Sequence, residues 1–298
     1  MPDQSKPGER NLVQQLFWAS RPVSWINTAY PFGLAYLLLT GRLDATFWIG
    51  CLFFLIPYNL LMYGINDVFD YESDLRNPRK GSIEGAILDK KWHRPTLLWA
   101  FGLPVPFVIY LLAVGNPASA FWLLLIVFTV IAYSAAGLRF KEKPVLDSLT
   151  SASHFVGPML VGVTIAGGSL LEPTTLLIAL AFTLWGMASH AFGAVQDIRA
   201  DREGGIASIA TKFGAANTSR FAFASYALAG ILVVFAAWPA PLAALACVPY
   251  LFVVGPFLNL TDADCELANK GWRRFIWLNF FAGFVVTLLA IWSVLPGN

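Results

Sequence analysis

Residues 45–74 read ATFWIGCLFFLIPYNLLMYGINDVFDYESD. From Ala45 to Asn66 no side chain is charged, a run of 22 residues. At about 1.5 Å per residue that is enough helix to cross about 30 Å of hydrocarbon. The run then ends abruptly in acid: Asp67, Asp70, Glu72 and Asp74. An apolar helix with acids at one end implies a chain that lives in a bilayer and keeps its polar chemistry at the bilayer's edge. Composition agrees. Of 298 residues 13% are charged, about half the roughly 25% usual for soluble domains, and 57% are hydrophobic, with a mean hydropathy of +0.62. A water-soluble fold of this length leaves roughly a quarter of its unfolded surface exposed, too much for such a composition to cover with polar groups. A net charge of +2 does not suggest a nucleic-acid partner. The three cysteines (Cys51, Cys247, Cys265) are odd in number and far apart, so neither a disulfide framework nor a zinc site is implied.

Working outward from this run, similar stretches predict an all-α, polytopic bundle of nine transmembrane helices: 22–41, 45–68, 95–114, 118–138, 145–168, 174–197, 220–238, 241–260 and 273–295. Turn chemistry falls between them at Gly115-Asn116-Pro117, Glu172-Pro173 and Trp238-Pro239-Ala240-Pro241. The chain reads as one integral-membrane domain, 1–298, with residues 1–20 a polar cytoplasmic segment. No small-residue cleavage site follows the first span, which is therefore expected to be retained. With nine spans, 19 of the 20 Lys and Arg lie on one side and only Arg42 on the other. The positive-inside rule then puts the N-terminus in the cytoplasm and the C-terminus outside. The inner connections also hold the acids, so the chemistry is expected at the cytoplasmic face.

Two acidic clusters carry that chemistry. At 100° per residue Asp67, Asp70 and Asp74 share one helical face, with Asn66 beside it. At the inner end of the sixth span, Gln196-Asp197-Ile198-Arg199-Ala200-Asp201 places two carboxylates at i and i+4. Like charges at these spacings repel and, at a membrane edge, also lose hydration. The bland alternative is an ordinary helix end, with the acids paired to Arg76, Arg79, Arg199 and Arg202. Two such clusters on one side favour a shared compensating charge. Oxygen-only ligands without His or Cys suit Mg²⁺, which binds through a few carboxylates plus substrate phosphates. Arg21, Arg79, Lys80, Arg139 and Lys141, all on inner connections, are the candidate diphosphate-binding cations. A metal-held diphosphate beside an apolar interior suggests an isoprenoid donor, whose allylic cation a dry cavity would protect from water. Tyr63, one turn before Asp67, and His190, seven residues before Asp197, are possible acceptor-side residues. An interhelical hydrogen bond is the plainer role for His190. Asp147 reads as a first-turn acid favoured by the helix dipole, and His93 and the Asp262–Glu266 stretch as solvated loop.

The pair Asn-Asp-x-x-Asp-x-x-x-Asp at 66–74 and Asp-x-x-x-Asp at 197–201, on the second and sixth of nine helices, resembles the signature of the UbiA superfamily of intramembrane prenyltransferases. Arg21-Pro22 and Tyr133-Ser134 are similar to weaker features of that family. The resemblance implies a helical bundle, Mg²⁺, an isoprenyl diphosphate donor and electrophilic prenylation of an apolar acceptor. It implies Asn66, Asp70, Asp197 and Asp201 as metal-facing, with Asp67 and Asp74 holding metal or orienting basic residues. Many members carry Arg and Arg-Pro soon after the first motif, where this chain has Asn77-Pro78-Arg79-Lys80-Gly81. Within the superfamily, Gly64–Ala86 and Ser189–Thr211 look most similar to bacterial lycopene elongases. That implies dimethylallyl diphosphate as donor, lycopene as acceptor and the bacterial plasma membrane as location. The rivals are an aromatic quinone-precursor prenyltransferase with a longer donor and, from another class, a secondary transporter.

Overall fold

A computed structural model describes residues 11–71 and 88–295. The expected residues Asp74, Arg79 and Lys80 lie outside them. All described regular elements are helical, and among the described residues seven helical segments are by length and composition long and apolar enough to cross a membrane. The expected count of nine is thus corrected. The expected first span is the 16-residue helix Trp25–Thr40, only about 24 Å long. The expected seventh belongs to Ile209–Val234, which Gly214 interrupts with φ 80° and which carries Thr218, Ser219, Arg220 and Ser225. Contacts divide the chain into two compact units.

The first unit holds residues up to Arg139 together with Gly157–Gly167. It contains α1 (Leu12–Ala19), α2 (Trp25–Thr40), α3 (Ala45–Leu55), α4 (Pro57–Phe69), α5 (His93–Gly102), α6 (Pro104–Val114) and α7 (Pro117–Ser134). Side-chain oxygens begin several of these helices as capping chemistry requires. Asn11 and Gln14 form a reciprocal box at α1, and Asn116 and Ser119 another at α7. Asp44 caps α3, and the Phe47 N–H it accepts holds its carboxyl below the usual range.

The segment that opened the sequence reading is not one straight helix. Pro57 has no N–H, and α3 gives way to α4 there. Carbonyls left over in a hydrocarbon environment must find donors, and two buried polar side chains supply them. Thr28 Oγ1 donates to the Phe54 carbonyl at 2.7 Å, while Asn59 Nδ2 reaches the Phe54 and Leu55 carbonyls at 2.8 and 3.1 Å. Phe32, Phe53, Phe54 and Tyr58, all buried, pack around this break. Ring pairs such as Phe53–Phe54 (4.8 Å) and Phe54–Tyr58 (5.2 Å) each add about 0.5–1.5 kcal/mol beyond area burial. The break thereby directs α4, whose last turn carries Asn66, Asp67 and Asp70.

The second unit holds Phe140–Val156 and the chain from Gly168 onward. Its helices are α8 (Leu146–Ile165, of which residues to 156 belong here), α9 (Pro173–Val195), α10 (Ile198–Glu203), α11 (Ile209–Val234), α12 (Val248–Val254) and α13 (Asn269–Val294). Turns of 3-10 helix cover Ala240–Cys247 and Asp262–Ala268. Close approach is set by small residues, as membrane helices require when lipid gives no hydrophobic drive. A Cβ on Gly186 of α9 would lie 2.8 Å from the Ala152 Cβ of α8. Tyr226, Tyr250 and Phe275 stack in sequence (4.9 and 5.5 Å), and the phenols are satisfied by Ser189 and Asn279. The Asp262–Glu266 stretch, expected as solvated loop, is instead structural. Asp262 accepts the Ala215 N–H at 2.7 Å, so capping the part of α11 that resumes after Gly214, and pairs with Arg202 at 2.8 Å.

Candidate active site

The last turn of α4 presents its acids where buried charge must be compensated. Asp67 and Asp70 are both buried, and leaving either carboxylate without a counter-charge would cost several kcal/mol. Two guanidinium groups from outside the helix meet them. Arg21 lies in the turn between α1 and α2 with left-handed backbone (φ 53°), and its Nη2 reaches Asp67 Oδ1 at 2.5 Å. The same guanidinium lies 5.3 Å from the centre of the Tyr63 ring, and Tyr63 is pinned in turn through its hydroxyl, which donates to Ser24 Oγ. The other guanidinium nitrogen, Nη1, is buried and has no hydrogen-bond acceptor among the described residues. A bound anion would supply one. Arg139, also left-handed (φ 40°), sits 3.6 Å from Asp70 Oδ1. Asn66 Oδ1 accepts from Ser134 Oγ at 3.0 Å, which orients the amide oxygen.

The structure therefore gathers Arg21, Tyr63, Asn66, Asp67, Asp70 and Arg139 around one helix end. Ser134, which orients Asn66, was visible in sequence only as part of a weaker family feature. Lys141 belongs to the second unit, in the turn Phe140–Glu142.

In that second unit α9 ends at Val195, and Asp197 opens the short helix α10. The Asp201 N–H donates to the Asp197 carbonyl at 2.8 Å, and the Ile206 N–H to the Asp201 carbonyl at 2.8 Å. Both acids are half-buried. The arginines between and after them point to other partners: Arg199 to Glu266 (3.5 Å) and Arg202 to Asp262. Gln196 is locked between the Gly193 carbonyl and Asn269. Two turns back on α9, His190 lies 3.7 Å from Asp147 of α8. Asp147 is more than the first-turn acid expected of it. It is fully buried, and its carboxylate accepts the N–H groups of Ser148 (2.7 Å) and Ile209 (2.6 Å), so it caps α8 and α11 together. Sequence spacing carries no signal of the Ile209 contact, 62 residues away. His93, expected in a loop, begins α5, where its Nε2 lies 3.0 Å from the Leu88 carbonyl and its ring packs edge-on against Tyr71.

Among the described residues no three His, Cys, Asp or Glu side chains converge as a metal site by themselves. The donors of α4 are all oxygens: the Asn66 amide and the Asp67 and Asp70 carboxylates. That chemistry fits a hard divalent cation whose remaining ligands come from phosphate.

Comparison with known proteins places this arrangement. Residues 28–284 match the UbiA prenyltransferase family; the chain belongs to that family and is a multi-pass membrane prenyltransferase. It is 53% identical to the lycopene elongase/hydratase of Corynebacterium glutamicum, over 94% of this chain and 97% of that protein. It is 55% identical to the C(50) beta-cyclic carotenoids biosynthesis protein LbtBC of a Dietzia species, over 97% of this chain and 67% of that protein. The fold matches that of a UbiA homolog from Archaeoglobus fulgidus solved bound to DMAPP and Mg²⁺. The TM-score is 0.68 at 19% identity, covering 90% of this chain and 98% of that one. Family membership sets the transporter alternative aside.

Proposed function

We propose that this protein transfers a five-carbon dimethylallyl unit from its diphosphate to the ends of lycopene. The donor half rests on one observation: a buried acidic helix end, Asp67 and Asp70, held against two guanidinium groups, one with a buried N–H donor that has no acceptor among the described residues. Such a surface suits a metal-loaded anion better than an aromatic carboxylate or a neutral lipid. The acceptor half rests on likeness to relatives named lycopene elongase/hydratase.

In this reading Asn66, Asp70, Asp197 and Asp201 hold Mg²⁺, while Asp67 and Asp74 hold metal or orient cations. Arg21, Arg79, Lys80, Arg139 and Lys141 offset the diphosphate charge. The cation, when bound, supplies Lewis-acid stabilisation of the departing diphosphate. The chain itself excludes water from the allylic cation and aims it at the terminal double bond of lycopene. The bond formed leaves a tertiary cation, resolved by proton loss or by water. The location that follows is the bacterial plasma membrane, with the N-terminus in the cytoplasm and the C-terminus outside.

The test is expression in lycopene-producing cells, with pigments read by mass. The expected outcome is lycopene heavier by one and two five-carbon units. It should be reproduced by purified protein with dimethylallyl diphosphate and Mg²⁺, and abolished reversibly by a chelator. Unchanged lycopene with the donor present would overturn the acceptor and turn attention to a quinone precursor.

A further inference from the structure

At the end of α4 arginines hold the acids, whereas the arginines beside Asp197 and Asp201 turn to Glu266 and Asp262. The direction of Asp197 has to be set by other means, because Mg²⁺ demands a near-octahedral set of oxygens at about 2.0–2.1 Å. We infer that the amide pair Gln196–Asn269 positions Asp197 for the divalent cation, so that the first turn of α13 serves the metal site without touching the metal. This inference rests on the metal role proposed above for Asp197.

The chain changes direction where this acid stands. α9 ends at Val195 and α10 begins at Ile198, so Gln196 and Asp197 form the whole joint. Gln196 keeps near-helical angles (φ −64°, ψ −18°), whereas Asp197 has φ −98° and ψ −3°. A side chain on such a joint swings with any twist of the residue before it, since consecutive Cα atoms are only about 3.8 Å apart. Gln196 is held against that twist. It is buried, its Nε2 donates to the Gly193 carbonyl at 2.9 Å, and its Oε1 accepts from Asn269 Nδ2 at 2.6 Å. A carbonyl only accepts, so Gly193 dictates which end of the glutamine amide is nitrogen, and the other end then calls for a donor. Asn269 supplies it from the first residue of α13.

Packing brings that donor to a fixed place. A Cβ on Gly193 would lie 3.0 Å from the Trp272 ring, and one on Gly271 would lie 2.8 Å from Phe257 and 3.0 Å from Phe192. The end of α9 and the start of α13 thus interlock, glycine against aromatic ring, from both sides. Small residues set how closely two helices approach. The amide bond between them sets their register, because sliding either helix would leave polar atoms unpaired. A glutamine that merely ended a helix could turn to water at the membrane edge; this one is closed off and bonded at both ends of its amide. Residues that orient a metal ligand without touching the metal change affinity or activity by about 10–100-fold when removed.

The experiment uses the full chain in lipid nanodiscs with inorganic diphosphate and Mn²⁺ as probe ion, free Mn²⁺ being read by electron paramagnetic resonance. Mn²⁺ takes the same oxygen ligands as Mg²⁺. Gln196→Leu keeps the volume, removes both bonds and should weaken Mn²⁺ binding about tenfold or more. Asn269→Ala should do the same from a half-buried position, and it reads the same bond where the first variant does not fold. The double variant should lose no more than the worse single one, as expected of two groups acting through one bond. In turnover with dimethylallyl diphosphate, raised Mg²⁺ should restore most of kcat to each variant, which loss of stability alone would not allow. Asp197→Ala is the reference. Wild-type Mn²⁺ affinity in the folded single variants, beside weakened binding in Asp197→Ala, overturns the inference alone, as do losses that add in the double variant. Unchanged binding in Asp197→Ala overturns the metal role of Asp197 and the inference with it.

Discussion

The two acidic helix ends are built on opposite principles. At the end of α4 the carboxylates are buried and met by arginines brought from distant turns, Arg21 and Arg139. At α10 the carboxylates are half-buried, and the arginines nearest in sequence turn to Glu266 and Asp262. Burial explains the contrast. A buried acid needs a counter-charge in fixed position, whereas one near solvent can leave neighbouring cations to tie down a loop. The α4 end is thus organised before any ligand arrives, and the α10 end keeps acid without matching its own arginines to it.

Removing an acid from either end is the harshest test of this contrast. Asp70→Ala and Asp197→Ala should each cut turnover by at least about 10³-fold with membrane insertion intact; near-normal rates in both would undo the site assignment. Arg21→Ala comes next. It strips Asp67 of its partner and should lower activity about 10–100-fold, with Arg21→Lys in between because a point charge replaces a fork. Full activity in Arg21→Ala would show that the α4 end needs no prior organisation.

Arg202→Ala probes the other side of the comparison. If that arginine only ties α10 to the Asp262 turn, prenyl transfer stays within about twofold and thermal stability falls by about 1 kcal/mol or less, as for exposed pairs. A large loss of rate would make it a diphosphate ligand instead. The smallest effect lies far from both ends, at Glu172, which caps α9 by accepting the N–H groups of Thr174 and Thr175. Those bonds hold its carboxyl below the ordinary glutamate value of 4.5. A lowered folded-state value means the stabilisation is present above pH 4.5 and fades as pH falls through the folded value. The melting difference between wild type and Glu172→Gln should therefore shrink on acidification below that point, and a constant difference would refute the capping account.

Much of the molecule could be read from the chain. Apolar runs without charge mark helices, the i, i+3 spacing of Asp67 and Asp70 marks a common face, and Asn116 and Glu172 mark helix starts. These signals are local. The failures are long-range. The break at Pro57 is tolerable because Thr28 covers a carbonyl 26 residues away. Asp262 looks like loop until Ala215, 47 residues off, donates to it. Asp147 looks like an ordinary first-turn acid until Ile209 and His190 are seen beside it.

Composition and periodicity alone settled that the chain is helical, lies in a bilayer and concentrates acid at two helix ends. Partition between water and hydrocarbon depends on what each short segment is made of, not on what it packs against. Which cation faces which acid was settled only by tertiary structure. Pairing energies depend on burial and distance, and those exist only once helices far apart in sequence have packed.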